Sequence, residues 1–176
     1  MLDGDPRSFE LCDLDQPNVP YPDSHFDFIH ARSILTGVCV AVQATLARSL
    51  IFCFSQVHDY SRLLREMARL LRPGGLLLLI EPGLIPRING SGGSDDSGLR
   101  GWLTFWETYR NCLRSKGIDP TVPQRLVNLL AATEAFENIV TRDCDVPVGF
   151  WPGGRSLPPY DIRVFTCRVQ IHIYLP

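Results

Sequence analysis

Between Phe26 and Glu81 the chain spells out a single strand–helix–strand crossover. Phe26-Asp27-Phe28-Ile29-His30 has the length and apolar content of a buried strand. From Asp59 to Leu71 the residues Leu63, Leu64, Met67, Leu70 and Leu71 recur at helical spacing, and Arg62, Arg65, Glu66 and Arg69 fall on the opposite, solvent-facing side. Asp59 is a suitable N-cap, and Pro73 with Gly74 stops the helix in a tight Pro-Gly-Gly turn. Leu76 to Ile80 then runs without polar alternation, as in a strand covered on both faces. Neighbouring parallel strands need such a crossover, and crossovers of this kind are right-handed, so the pattern reads as one unit of a parallel sheet. The unit predicts an α/β domain with Glu81 at the carboxyl edge of the sheet, where open α/β sheets bind ligands.

The rest of the pattern is consistent with one domain. The spacing predicts helices over Trp102–Arg114, closed by Gly117, and over Val122–Ala135, with a strand from Glu137 to Arg142. From Phe165 to Ile173 apolar and polar residues alternate with period two, which predicts a final antiparallel strand or hairpin. The aromatic stripe Trp102, Phe105, Trp106 and Tyr109 reads first as core.

Composition narrows the function. With 176 residues, 45% hydrophobic content and a formal net charge of −2, the chain has material for one core and lacks the basic excess of a nucleic-acid binder. The start of the chain does not read as a signal peptide, so the expectation is a cytoplasmic protein without a membrane role. Cys12, Cys39, Cys53, Cys112, Cys144 and Cys167 form no C-x-x-C pair, and the four histidines lack ligand spacing, so neither disulfides nor a metal is expected. There is no G-x-S-x-G nucleophile elbow.

FDFIHAR, DYSRLLREMARLLRPGG and LLLLIEP together resemble the central part of class I S-adenosylmethionine-dependent methyltransferases. They are most similar to the fungal branch of secondary-metabolism and regulator-like enzymes. Phe9 to Leu14 resembles that family's strand and adenine-binding Asp, and Val146 to Pro152 its P-x-G-x-W segment. The resemblance implies an incomplete Rossmann-like fold with a mostly parallel sheet over residues 1–154. It further implies S-adenosyl-L-methionine as cofactor and a small-molecule acceptor. By the same resemblance Asp13, Leu14, His30, Ala31 and Arg32 contact cofactor, and Glu81, Trp106 and Tyr109 border the acceptor. Each has a structural alternative: Asp13 as a loop cap, His30 as a strand-end imidazole, Arg32 as a surface cation, Glu81 as a turn cap, the aromatics as core. No catalytic residue is implied, because methyl transfer needs alignment and exclusion of water more than acid–base chemistry.

Three features depart from the family. The glycine-rich turn and the ribose-binding carboxylate have no counterpart in these residues, so a truncated, catalytically defective methyltransferase is expected. Residues 38–56 are an atypical apolar insertion at the joint between SILTGV and HDYSRLL. Valine codons begin with GT and glutamine can be CAG, so Val38 and Gln56 read as the borders of a translated intron, which a spliced transcript lacking Cys39–Gln56 would verify. As a membrane span the insertion is barely as long as the roughly 20 residues required, and it holds Gln43 and Arg48. Residues 87–98 read as a flexible glycine- and serine-rich loop, and 155–176 as an atypical tail supplying an antiparallel strand or derived from a second intron or shifted frame. The alternatives in function are a non-catalytic module that binds a protein partner and, last, a nicotinamide-dependent dehydrogenase. The dehydrogenase lacks both its glycine fingerprint and a Tyr-x-x-x-Lys pair.

Overall fold

The computed structural model describes residues 9–36, 50–52, 57–85, 97–147 and 163–174. In chain order these form β1 (Phe9–Leu11), β2 (Phe26–Arg32), β3 (Leu50–Phe52), α1 (Tyr60–Leu70), β4 (Leu71–Pro82), α2 (Ser97–Ser115), α3 (Val122–Ala131), β5 (Thr141–Pro147) and β6 (Arg163–Tyr174). The strands make a parallel pair, β1–β3, and a four-stranded sheet of order β2-β4-β6-β5. The fold is α/β. Its β2 and β4 run parallel, with Ile29 opposite Leu77 and His30 opposite Leu78, as the crossover requires. The antiparallel C-terminal hairpin also forms, and β6 lies between β4 and β5.

Helix α1 begins where the Asp59 carboxylate accepts the Arg62 amide at 2.8 Å, and it ends where Leu71 turns extended. Leu63, Leu64, Met67 and Leu70 are buried with Phe26, Ile29, Leu77 and Leu79 in one core. The Pro-Gly-Gly segment interrupts pairing: Phe26 lies opposite Leu71 but Phe28 opposite Leu76, so Arg72 to Gly75 loop out of the ladder. Gly74 sits at φ 74°, and a Cβ on Gly75 would stand 2.8 Å from the Arg72 carbonyl oxygen and 3.2 Å from that of Asp27. Both positions need glycine.

Some element boundaries differ from the pattern. Helix α3 stops at Ala131 because the Thr133 hydroxyl turns back to the Leu130 carbonyl at 2.7 Å and Glu134 takes a left-handed φ of 53°. Asn138, at φ 54°, delays β5 to Thr141. Helix α2 starts at Ser97, ahead of Trp102. Of the 38–56 insertion, Leu50–Phe52 pairs with β1; the rest, the 89–94 glycine cluster and most of the Val146–Pro152 segment lie outside the described residues.

Candidate functional site

The residues predicted from the sequence fall after β1, at the carboxyl ends of β2 and β4, which pair in a sheet that does not include β1, and on α2. Beyond β1, Asp13 is exposed and Leu14 buried. The Asp13 carboxylate takes the Asp15 amide on Oδ1 and the Gln16 side-chain amide on Oδ2, both at 3.0 Å. It therefore caps its own turn.

At the end of β2, Ala31 is fully buried, Arg32 is exposed and His30 is half-buried. The His30 ring lies near-parallel to Phe28, and among the described residues its buried Nε2 has no hydrogen-bond partner. Burial first, then the Arg32 charge, hold His30 below the usual imidazole pKa and so favour its neutral form. A neutral imidazole with an unengaged nitrogen fits a polar ligand at this edge, and so does the exposed guanidinium beyond it.

Glu81 is 0% exposed. Its Oε1 accepts the amides of Ile34 (3.0 Å) and Leu35 (3.2 Å) and the Tyr60 hydroxyl (3.0 Å). Burial outweighs these three donors and raises its pKa to about 7. The carboxylate thus turns inward onto the turn that follows β2. On α2, Trp106 is buried and Tyr109 half-buried, packed edge to face at 5.8 Å, while Phe105 (54% exposed) and Leu103 (41%) face outward.

The sequence pattern missed the polar side of α1. Glu66, expected in solvent, is only 7% exposed, because the loop 14–24 folds over it. Its Oε1 accepts the Val19 amide at 2.8 Å, and Arg69 joins it at 2.5 Å while donating to the carbonyls of Tyr21 and Val19 and to Asp23. Arg62 reaches the carbonyls of Leu14 and Gln16. Three residues at i, i+4 and i+7 therefore bind down the loop that carries Asp13 and Leu14; the Glu66-x-x-Arg69 spacing was the available signal. His58 adds a second clasp, with Nδ1 on Asp15 (2.9 Å) and Nε2 on the Lys116 carbonyl (2.9 Å) of the turn after α2. A small apolar cavity beneath this loop, lined by Leu14, Val19, Phe26, Leu63 and Met67, holds about 20 Å³. That is room for one water and far too little for a nucleoside.

No group of His, Cys, Asp and Glu able to hold a metal occurs among the described residues. Among those residues no helix is long and apolar enough to cross a membrane.

Residues 3–79 match the family described as "Methyltransferase domain", somewhat under half of the chain. The match takes in β1, β2, β3, α1 and most of β4. Among solved structures, phosphoethanolamine N-methyltransferase 2 of Haemonchus contortus, bound to S-adenosyl-L-methionine, aligns with a TM-score of 0.49 at 12% identity, over 94% of this chain and 36% of that one. A SAM-dependent methyltransferase of Methanosarcina mazei gives 0.46 at 18% identity, over 90% and 64%. One from Thermotoga maritima gives 0.45 at 19%, over 88% and 59%. In each case the chain spans less than two thirds of the similar protein. No curated protein sequence matches.

Proposed function

We propose that this chain is part of an S-adenosylmethionine-dependent methyltransferase acting on a small-molecule acceptor, and that these 176 residues alone are catalytically defective. The observation that carries the reading is a coincidence. The stretch matching the methyltransferase domain holds the parallel pair β2 and β4 up to Leu79, and so places His30–Arg32 at the carboxyl end of β2, with Glu81 on β4 two residues past the end of the match.

When bound, the cofactor supplies a methyl carbon activated by its positively charged sulfur. Asp13 accepts the adenine amino group, held by the Arg62–Glu66–Arg69 clamp on its loop. His30, Ala31 and Arg32 border the methionine part or the acceptor, and Trp106 and Tyr109 wall the acceptor side, excluding water. Net charge favours a small acceptor over a nucleic acid. The domain spans 1–154, with the insertion at 38–56, the loop at 87–98 and the 155–176 tail lending it a strand. The defect follows from the 176 residues holding no E/D-x-G-x-G-x-G motif after a strand, against which the methionine part could lie. The fungal secondary-metabolism branch and a cytoplasmic location complete the proposal.

Calorimetric titration of the purified chain with S-adenosylmethionine tests the defect: no saturable binding is expected, and micromolar binding overturns it. A chimera with a methyltransferase's first strand, glycine turn and second strand fused ahead of residue 9 tests the family reading. Binding that returns in the chimera and is lost again in Asp13→Ala supports it; a folded chimera that binds nothing refutes it. The exposed Leu103 and Phe105 favour a second reading, a protein-binding module, which requires a defined complex without cofactor in size-exclusion chromatography.

A further inference from the structure

The turn after β2 is conformationally expensive and held from one side. Ser33, its first residue, takes a left-handed φ of 54°, which a side chain other than glycine or asparagine adopts only when its surroundings impose it. The Ser33 amide bonds the Ile80 carbonyl at 2.8 Å. The next two amides, Ile34 and Leu35, both end on Glu81 Oε1, and the Tyr60 hydroxyl of α1 reaches the same oxygen. Three donors converge on one carboxylate oxygen. Among the described residues Oε2, also buried, has no partner.

We propose that Glu81 and Tyr60 form a proton-operated latch on this turn, gripping the Ile34 and Leu35 amides while the carboxylate is ionised and loosening them once it is protonated. A proton is accommodated on Oε2, which leaves Oε1 a neutral carbonyl acceptor. Charge-assisted hydrogen bonds are roughly twice as strong as neutral ones, so all three bonds weaken together. Tyr60 is the titratable side chain in direct contact, and burial and the Glu81 charge both keep its phenol protonated as a donor. On β2, Arg32 stands one register position away, opposite Ile80, and His30 stands opposite Leu78; on β6, Arg168 is the register partner of Glu81. The Glu81 pKa of about 7 places the transition within the physiological range. The latch itself is independent of the methyltransferase reading. Its consequence, a cofactor edge at His30–Arg32 that loosens on acidification, rests on that reading.

Global and local stability should move in opposite directions. A buried carboxyl whose folded-state pKa is raised favours the folded chain when protonated, so the whole molecule becomes more stable as pH falls through 7 while the turn becomes looser. In two-dimensional NMR of the intact chain, the Ile34 and Leu35 amide protons are expected to titrate with a midpoint near pH 7. Their hydrogen-exchange protection factors should fall on acidification while the thermal midpoint rises. Glu81→Gln is expected to flatten both titrations with protection fixed at the low-pH level. Tyr60→Phe, which removes a donor to the ionised form, should move the midpoint to higher pH. Amide shifts that do not titrate, that titrate equally in Glu81→Gln, or protection that simply follows thermal stability would overturn the latch.

Discussion

Glu66 and Glu81 are the buried carboxylates among the described residues, and each ties a loop to the α1–β4 unit by accepting backbone amides. They differ in what stands beside them. Glu66 has the Arg69 guanidinium, whose hydrogen bond, against the cost of burial and with help from the Val19 amide, holds its pKa below the usual carboxylate value. Among the described residues the donors to Glu81 are neutral, and burial raises it from 4.5 to about 7. Two carboxylates in similar structural positions thus differ at neutral pH, one an anion and the other near the midpoint of its titration. A partner's formal charge, rather than the number of hydrogen bonds, separates them.

Removing the buried member of a half-buried ion pair should have the largest effect. Glu66→Ala leaves the Arg69 guanidinium with the exposed Asp23 as its remaining carboxylate and the Val19 amide without an acceptor, at an expected cost of about 3 kcal/mol in urea unfolding at pH 7. A loss under about 1 kcal/mol would mean that Asp23 and the loop carbonyls suffice, and the contrast with Glu81 would fail.

Next is the pH dependence of Glu81→Gln. The folded-state pKa is raised, so the stabilisation tied to its proton is complete below about pH 4.5 and lost as pH rises to about 7. The wild-type chain should lose up to about 3 kcal/mol over that window relative to the variant, since one pKa unit is worth about 1.36 kcal/mol. Glu66 has the opposite sign: its contribution is present at neutral pH and is lost as pH falls below the ordinary carboxylate range. Unfolding curves of both Gln variants at several pH values separate the two, and parallel slopes would erase the distinction.

The crossover, the Asp59 cap and the period-two strand were legible in the sequence because each depends on short-range periodicity or backbone chemistry. The role of Glu66 was not, because helical spacing says which side chains share a face but not that the loop 14–24 will cover it. For the same reason the positions of the candidate residues, Asp13 just past β1 and His30 to Arg32 at the end of β2, were legible, while the residues that hold their loops were not. Glu81 was found at the edge where ligands bind, but its inward turn depends on Ser33 taking a left-handed conformation, which no local pattern announces. Position along the strand was readable; side-chain direction came from tertiary contacts.

Tyr60→Phe should have a smaller effect. It deletes a neutral donor and leaves an isosteric ring, so at pH 8, where Glu81 is ionised, the expected loss is about 1–2 kcal/mol. Near pH 5 the loss should shrink to about half of that, because the bond then ends on a neutral acceptor.

Asp59→Ala provides the solvent-exposed reference for both buried glutamates. Like them, Asp59 accepts a backbone amide, that of Arg62 at 2.8 Å, but water is available to each partner once the carboxylate is gone. The loss should be about 1 kcal/mol, that of an ordinary helix N-cap, and should leave the pH profiles of Glu66 and Glu81 unchanged. Burial then accounts for the difference between a cap worth about 1 kcal/mol and a carboxylate whose removal costs several. If Asp59→Ala costs as much as Glu66→Ala, the amide bond itself is the dominant quantity in all three, and neither burial nor the Arg69 charge distinguishes them.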